Sequence, residues 1–313
     1  MKKESPTSPN TQGSPDMNDE SLFFPSLLAA SRPKTLLAAV LPVSLGSFLA
    51  YSINESFNYI LFASLILSTL CIQIATNLFN DVIDARKGAD TDQRLGPKRM
   101  TSSGAIAPES LLIAGLTFCF MAITFSLPMI VVRGIPIVII GIISLLLAYG
   151  YTGGPWPLAY KGLGEIFVFI FFGLVAVNGT FYVFTGQICP ESLLLGAQSG
   201  LLCAIIIAIN NVRDMNEDKN CGKMTLAARY GINFARMKIL ILSISPYVLG
   251  LIWIPLGHSL TALVPLMGMP LSVIIAFLII RKEPSPSYNN YLGLSVIAYL
   301  NFSVLVYFGL TLK

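Results

Sequence analysis

Long uncharged windows dominate this chain and limit its fold more than any other feature. Charged residues leave eight of them, at 35–54, 56–80, 110–132, 134–160, 166–190, 192–212, 239–280 and 284–312. A spanning helix needs about 20 apolar residues. The window 239–280 is about twice that length, and Pro255-Leu-Gly-His-Ser259 breaks it, which makes nine spans. Soluble domains carry about 25% charged residues, whereas this chain carries 12%, with 54% hydrophobic. Inside a bilayer the backbone must bond to itself. The expected fold is therefore all-α, a polytopic membrane protein of about nine transmembrane helices surrounding a central cavity.

Charge placement tests that count. With the N-terminus inside, the inside segments are the N-terminal tail and the loops near 81–109, 153–165, 213–238 and 281–290. They hold 18 of the 20 Lys and Arg residues, leaving only Arg133 and Lys313 outside. Cytoplasmic loops carry this excess of positive charge. The expected location is a bacterial inner membrane, with the N-terminus and the basic loops cytoplasmic and membrane lipid as the surrounding partner. The basic residues are split among short loops, which argues against nucleic-acid binding.

Residues 1–24 are rich in Ser, Pro and Asn and read as a disordered tail, with residues 25–313 forming the membrane domain. No signal-peptide pattern follows Lys2-Lys3. The five cysteines form no C-x-x-C pair, and His258, the only histidine, falls in an outside loop. A disulfide framework, a zinc site and a catalytic histidine are not expected. The absence of a Walker-type glycine loop leaves ATP hydrolysis unsupported.

Two acidic clusters stand at the inside ends of spans two and six. The first reads Asn77-Leu-Phe-Asn80-Asp81-Val-Ile-Asp84-Ala-Arg-Lys-Gly-Ala-Asp90-Thr-Asp92, and the second Asn210-Asn211-Val-Arg-Asp214-Met-Asn-Glu-Asp218. Carboxylates at a membrane surface are costly unless a cation joins them. Residues three and four apart share a helix face, so Asn77, Asp81 and Asp84 align, as do Asn210, Asp214 and Asp218. Each row is a set of oxygen ligands. Mg2+ takes such ligands and is usually completed by substrate phosphates. Two rows suit two or three ions bridging to a diphosphate, and Lys98, Arg99, Lys223 and Arg229 in the adjacent loops would neutralise the remaining phosphate charge. The loops echo each other, Lys98-Arg-Met-Thr beside Gly222-Lys-Met-Thr, which suggests an internal repeat.

A diphosphate beside a greasy interior suits a ligand with a polar head and a hydrocarbon tail. Most aromatic residues, such as Phe167, Phe171, Phe172 and Phe181, read as packing. Tyr149 and Tyr151, at the end of the fourth span, are placed to stabilise a carbocation through their ring faces.

These motifs resemble the UbiA-type membrane prenyltransferases over about residues 28–312. The resemblance rests on Arg32-Pro-Lys-Thr-Leu, on Asn80 to Asp92, on Tyr151-Thr-Gly-Gly-Pro-Trp-Pro-Leu-Ala-Tyr-Lys-Gly-Leu-Gly-Glu165, and on Asn210 to Asp218 with Gly222-Lys-Met-Thr-Leu-Ala-Ala-Arg229. The Tyr151 motif and the Gly-Ala-Asp-Thr-Asp extension look most like the branch of the family that acts on 1,4-dihydroxy-2-naphthoate. One departure stands out. The family's third carboxylate in the first motif falls on Gly88 here, and either Asp90 or Asp92 would take its place.

The resemblance implies a reaction. Mg2+ held by Asp81, Asp84, Asp214 and Asp218, with Asp90 or Asp92, would draw charge from a polyprenyl diphosphate. The naphthoate ring would attack the resulting allylic cation and lose CO2, giving demethylmenaquinol for menaquinone synthesis. Asn77, Asn80, Asn210 and Asn211 would support metal or bind phosphate. Arg32 and Lys34 would bind either the acceptor's carboxylate or the donor's phosphate, and Glu165 would lie beside the site. Two other readings stand next to this one: the same chemistry on homogentisate or 4-hydroxybenzoate, and a transporter of an anionic solute, which requires charge deep within the spans.

Overall fold

The computed structural model describes residues 20–89 and 94–312, and every regular element among them is helical. In chain order these are α1 (Glu20–Ala30), α2 (Pro33–Asn54), α3 (Tyr59–Arg86), α4 (Pro108–Arg133), α5 (Ile135–Gly150), α6 (Gly164–Thr185), α7 (Pro190–Arg213), α8 (Met215–Asn220), α9 (Leu226–Trp253), α10 (Ser259–Arg281) and α11 (Tyr288–Thr311). Eight are long and apolar enough to cross a membrane. The 16-residue α5 is the ninth apolar helix. It rises only about 24 Å, because Gly153, Gly154, Pro155 and Pro157 stop the helix that the uncharged window 134–160 would otherwise allow. The predicted break between α9 and α10 is present, with Gly257 at φ 88. Residues 20–24, assigned to the tail from sequence, belong to α1, and residues 1–19 lie outside the described residues.

Helix α3 has 28 residues, about 42 Å of rise against a hydrocarbon core of about 30 Å. Its last turns therefore carry the first acidic cluster past the apolar layer while remaining helical. Helix α7 is the most enclosed span, with 72% of its apolar window buried, and it packs on α2, α6, α9 and α11. Leu195, Leu202, Ile209, Trp253, Tyr299 and Phe302 form the centre of this core.

Several polar groups inside this core are paired, as a medium without water favours. Gln198 on α7 donates to the Pro246 carbonyl oxygen at 2.8 Å and accepts from Trp253 Nε1 at 2.8 Å. Helix α6 winds as a π-helix over Phe169–Val175, which loosens its ladder. Ser199 Oγ donates to the Phe172 carbonyl at 3.2 Å, and Asn178 Nδ2 to the Leu174 carbonyl at 2.8 Å. Glycines let the two backbones meet there: a Cβ on Gly173 would lie 2.5 Å from both Gly196 O and Gly200 Cα. At the end away from the acidic clusters, Arg133 donates to the carbonyls of Tyr182, Val183 and Phe184, each at 2.9 Å. Arg133, one of the two basic residues outside the inside segments, is thus a cap on the C-terminus of α6.

Because Gly173 meets backbone and not movable side chains, Gly173→Ala is expected to destabilise the fold by about 1–3 kcal/mol. This would be read as a lowered thermal midpoint of the detergent-solubilised chain. An unchanged midpoint would show that α6 and α7 are not held at this contact.

Candidate active site

The two acid-bearing helices face each other across a cavity of about 160 Å³. From α3 it receives Gln73, Thr76, Asn77, Asn80 and Asp84, and from α7 Cys203, Ile206, Ile207, Asn210 and Asn211, with Asp214 at its C-cap. Both sets follow the three-and-four spacing of one helix face. Arg32 and Thr35 enter from the break between α1 and α2, where Arg32 takes φ 53. Asn77 holds that break in place, donating to Ser31 O at 2.8 Å and Thr35 Oγ1 at 3.2 Å.

The four carboxylates have different surroundings. Asp84 accepts from Arg99 at 2.9 Å and from the Tyr160 hydroxyl at 2.9 Å. Asp214 takes a bidentate pair from Arg213, both bonds 2.7 Å, with Arg94 at 3.8 Å. Asp81, aligned with Asp84 by sequence spacing, is absent from the cavity lining. It accepts from the backbone N–H groups of Met100 and Thr101 at 3.1 and 2.9 Å, and so ties down the basic loop. Asp218, on α8, is also absent from the cavity lining; it pairs with Lys223 at 3.3 Å, and its Oδ2 is buried without a partner. Both carboxylate oxygens of the neighbouring Glu217 are also buried without partners.

The remaining predicted residues divide by location. Arg99, Tyr151, Lys223, Asn210 and Asn211 reach the cavity. Lys34 and Lys98 are exposed and outside it, and Arg229 is exposed and braces the Lys161 carbonyl at 3.3 Å. Tyr149 also lies outside: its ring is 47% exposed and packs edge-on against Phe79. Glu165 is buried behind the wall and contacts it through Asn211. Asp90 and Asp92 lie outside the described residues. Sequence reasoning did not single out Arg94, Arg213, Thr152 or Tyr160. Thr152 donates to Asn80 Oδ1 at 2.6 Å. Tyr160 sits in a 3₁₀ turn, Leu158–Lys161, with the Lys87 ammonium 4.0 Å from its ring centre. Both lie in the quoted Tyr151 motif, but their spacing carried no periodic signal.

Among the described residues no three His, Cys, Asp or Glu side chains converge as a preformed metal site. The donor set still fits a hard divalent cation. It consists of carboxylate and amide oxygens, and one oxygen of Asp218 and both of Glu217 are buried acceptors without a donor. Burial pushes the Asp218 carboxyl up to about 6 in spite of Lys223, and burial followed by the Asp214 charge raises Glu217. Burial alone would lower Lys223, but the Asp218 and Asp84 charges outweigh it and hold the ammonium above its ordinary value.

The Asp218 shift has a testable sign. Folded Asp218 keeps its proton up to about pH 6, whereas the unfolded chain loses it near 3.8. Stability from this group is therefore greatest at low pH and falls as pH rises through that window. Without divalent cation, the thermal midpoint of Asp218→Asn relative to the parent chain should climb between pH 4 and 6.5, roughly the interval between those two values. A constant difference would contradict the burial of this carboxylate.

Comparison with known proteins agrees with this architecture. The chain is 37% identical over 213 residues to 1,4-dihydroxy-2-naphthoate octaprenyltransferase of Haemophilus influenzae, covering 64% of this chain and 68% of that protein. It is 33% identical over 262 residues to the Escherichia coli protein of the same name, covering 82% and 85%. Among solved structures, the fold is shared with a UbiA homolog from Aeropyrum pernix K1, with TM-score 0.67, 16% identity and coverage of 86% and 96%. It is also shared with a UbiA homolog from Archaeoglobus fulgidus bound to DMAPP and Mg2+, with TM-score 0.59, 17% identity and coverage of 90% and 99%. The UbiA prenyltransferase family pattern matches residues 39–299, and with the sequence identities it establishes that the chain belongs to the UbiA prenyltransferase family.

Proposed function

We propose that this chain transfers a polyprenyl group from polyprenyl diphosphate to 1,4-dihydroxy-2-naphthoate, with loss of CO2 and diphosphate, giving demethylmenaquinol for menaquinone biosynthesis. One observation carries the reading. The polar cavity shares Gln73, Thr76, Phe167 and Phe172 with a second cavity of about 180 Å³, which is walled by α2 to α6 and carries no charged residue. A charged chamber adjoining an uncharged, mostly apolar one matches a diphosphate head joined to a hydrocarbon tail. The names of the relatives supply the acceptor. The uncharged second cavity also argues against a transport path for an anion.

The residues take the following roles. Asp84 and Asp214 on the cavity wall, with Asp218 just outside it, would hold Mg2+, with Asn80 and Asn210 beside them, and Asp81 keeps the basic loop over the site. When bound, Mg2+ supplies positive charge that stabilises the departing diphosphate. Arg94, Arg99 and Lys223 face the same group and neutralise its remaining oxygens. The allylic C–O bond breaks, leaving a carbocation on the prenyl chain and its electron pair on diphosphate. Tyr151 and Phe167 form one aromatic wall, their ring centres 5.1 Å apart, and offer π faces to the cation. Burial pushes the Tyr151 hydroxyl up to about 12, so the ring stays neutral and does not trap the cation as a phenolate. The acceptor carbon bearing the carboxylate forms the new C–C bond. Loss of CO2 returns the bonding pair to the ring, so the step needs no base. The turn around Tyr160, joined to Asp84 and to Met224 N at 3.1 Å, keeps water from the cation. The basic loops support a cytoplasmic-facing site in a bacterial inner membrane.

Membranes containing the chain, given 1,4-dihydroxy-2-naphthoate, a long-chain prenyl diphosphate and Mg2+, are expected to release CO2 and form a lipid-soluble prenylated naphthoquinol. Product from 4-hydroxybenzoate or homogentisate but none from the naphthoate would overturn the acceptor assignment. Asp84→Asn and Asp214→Asn should each lower kcat by about 10²-fold or more while the protein still inserts. Turnover at the parent rate in either would remove these carboxylates from the chemistry. Arg99→Gln should raise the KM for prenyl diphosphate by about tenfold, the worth of one charge-assisted hydrogen bond.

A further inference from the structure

Glu165 is 6% exposed and does not line the cavity. Lys238 on α9 reaches it, with Nζ 2.5 Å from each carboxylate oxygen. The Asn211 side chain on α7 donates from Nδ2 to Glu165 Oε1 at 3.1 Å, and Asn211 lines the cavity. A carboxylate only accepts hydrogen bonds. The Asn211 amide must therefore turn its NH2 to Glu165 and its oxygen the other way. No hydrogen bond from a described residue engages that Oδ1, and it is not among the sealed, unpartnered polar atoms. Without Glu165, an asparagine amide is free to present either end.

We propose that Glu165, neutralised by Lys238, is a positioning residue that fixes Asn211 with its oxygen toward the cavity, where it accepts a hydrogen bond from a ring hydroxyl of the aromatic acceptor. Location selects this ligand. Asn211 lies almost one helical turn before Asp214, the C-cap of α7. The wall beside it is α6, which presents Gly164, Phe167 and Val168 to the same cavity. A neutral carbonyl oxygen against an aromatic and aliphatic wall matches a flat ring carrying O–H donors. The carboxylates and the cations Arg94, Arg99 and Lys223 serve the diphosphate end.

The inference rests on the proposed reaction, and the test separates the two. Two quantities are measured on the full-length chain in detergent: steady-state KM values for each substrate, and equilibrium binding of 1,4-dihydroxy-2-naphthoate without prenyl donor. Glu165→Gln lets the two amides pair in either sense, and Asn211→Leu removes the oxygen. Each should weaken naphthoate binding and raise its KM by about tenfold, the worth of one hydrogen bond, with the KM for prenyl diphosphate and the Mg2+ requirement unchanged. In the double variant Glu165→Gln with Asn211→Asp, the new glutamine amide donates to one aspartate oxygen and leaves the other toward the cavity. Naphthoate affinity should return toward the parent value, which a merely structural ion pair with Lys238 would not produce. Unaltered naphthoate affinity in both single variants, a shifted Mg2+ requirement in its place, or no recovery in the double variant would each overturn the proposal. A parent chain that binds the naphthoate but prenylates a different acceptor would overturn the reaction assignment and leave the binding measurement standing.

Discussion

Four buried carboxylates at the end of an apolar bundle govern the rest of this structure. Asp81, Asp84, Asp214 and Asp218 are each under a tenth exposed. A charge in such a place must collect donors or become protonated. Their demands fold the loops. Asp81 draws in the backbone of Met100 and Thr101, Asp84 takes Arg99 and Tyr160, Asp214 takes Arg213 with Arg94, and Asp218 takes Lys223. Three segments distant in sequence close over one cavity because each supplies a donor that a carboxylate lacks.

The scaffold beneath follows from the bilayer. Polar groups there favour pairing inside the protein, and several do so at the points where the helices depart from regularity. The π-turn of α6 is matched by Ser199 and Asn178, and the Pro246 region of α9 by Gln198. These irregularities serve the site. The π-turn carries Phe172 toward both cavities while the glycines of α6 and α7 let the backbones touch. The polar chamber and the apolar chamber are thereby joined at shared residues, the arrangement that an amphipathic substrate needs.

Much of this was legible in the chain. Charge-free windows gave the spans, the distribution of Lys and Arg gave a common end for the loops, and helical spacing gave the faces of Asn77 with Asp84 and of Asn210 with Asp214. Spacing misled at Asp81. It lies about 40° around the helix from Asn77 by the 3.6-residue period, enough for its side chain to turn to the loop. Tyr149 and Tyr151 are two residues apart in the chain. The helix end at Gly150 leaves the first at the periphery and carries the second into the cavity. Arg94 and Tyr160 belong to irregular segments, where no period links a residue to its partner.

The sequence by itself determined the helical membrane fold, the family, the pair of acid-bearing helices and the end of the bundle where chemistry is concentrated. Those properties depend on composition and on contacts within one helix, which are periodic along the chain. Only the tertiary structure decided which carboxylate faces the cavity, which cation neutralises it, and that Glu165 pairs with Asn211 and Lys238 behind the wall. Those pairings join α6, α7 and α9, or a loop and a helix far apart in sequence. They arise only where burial forces each charged or polar group to find a partner in space.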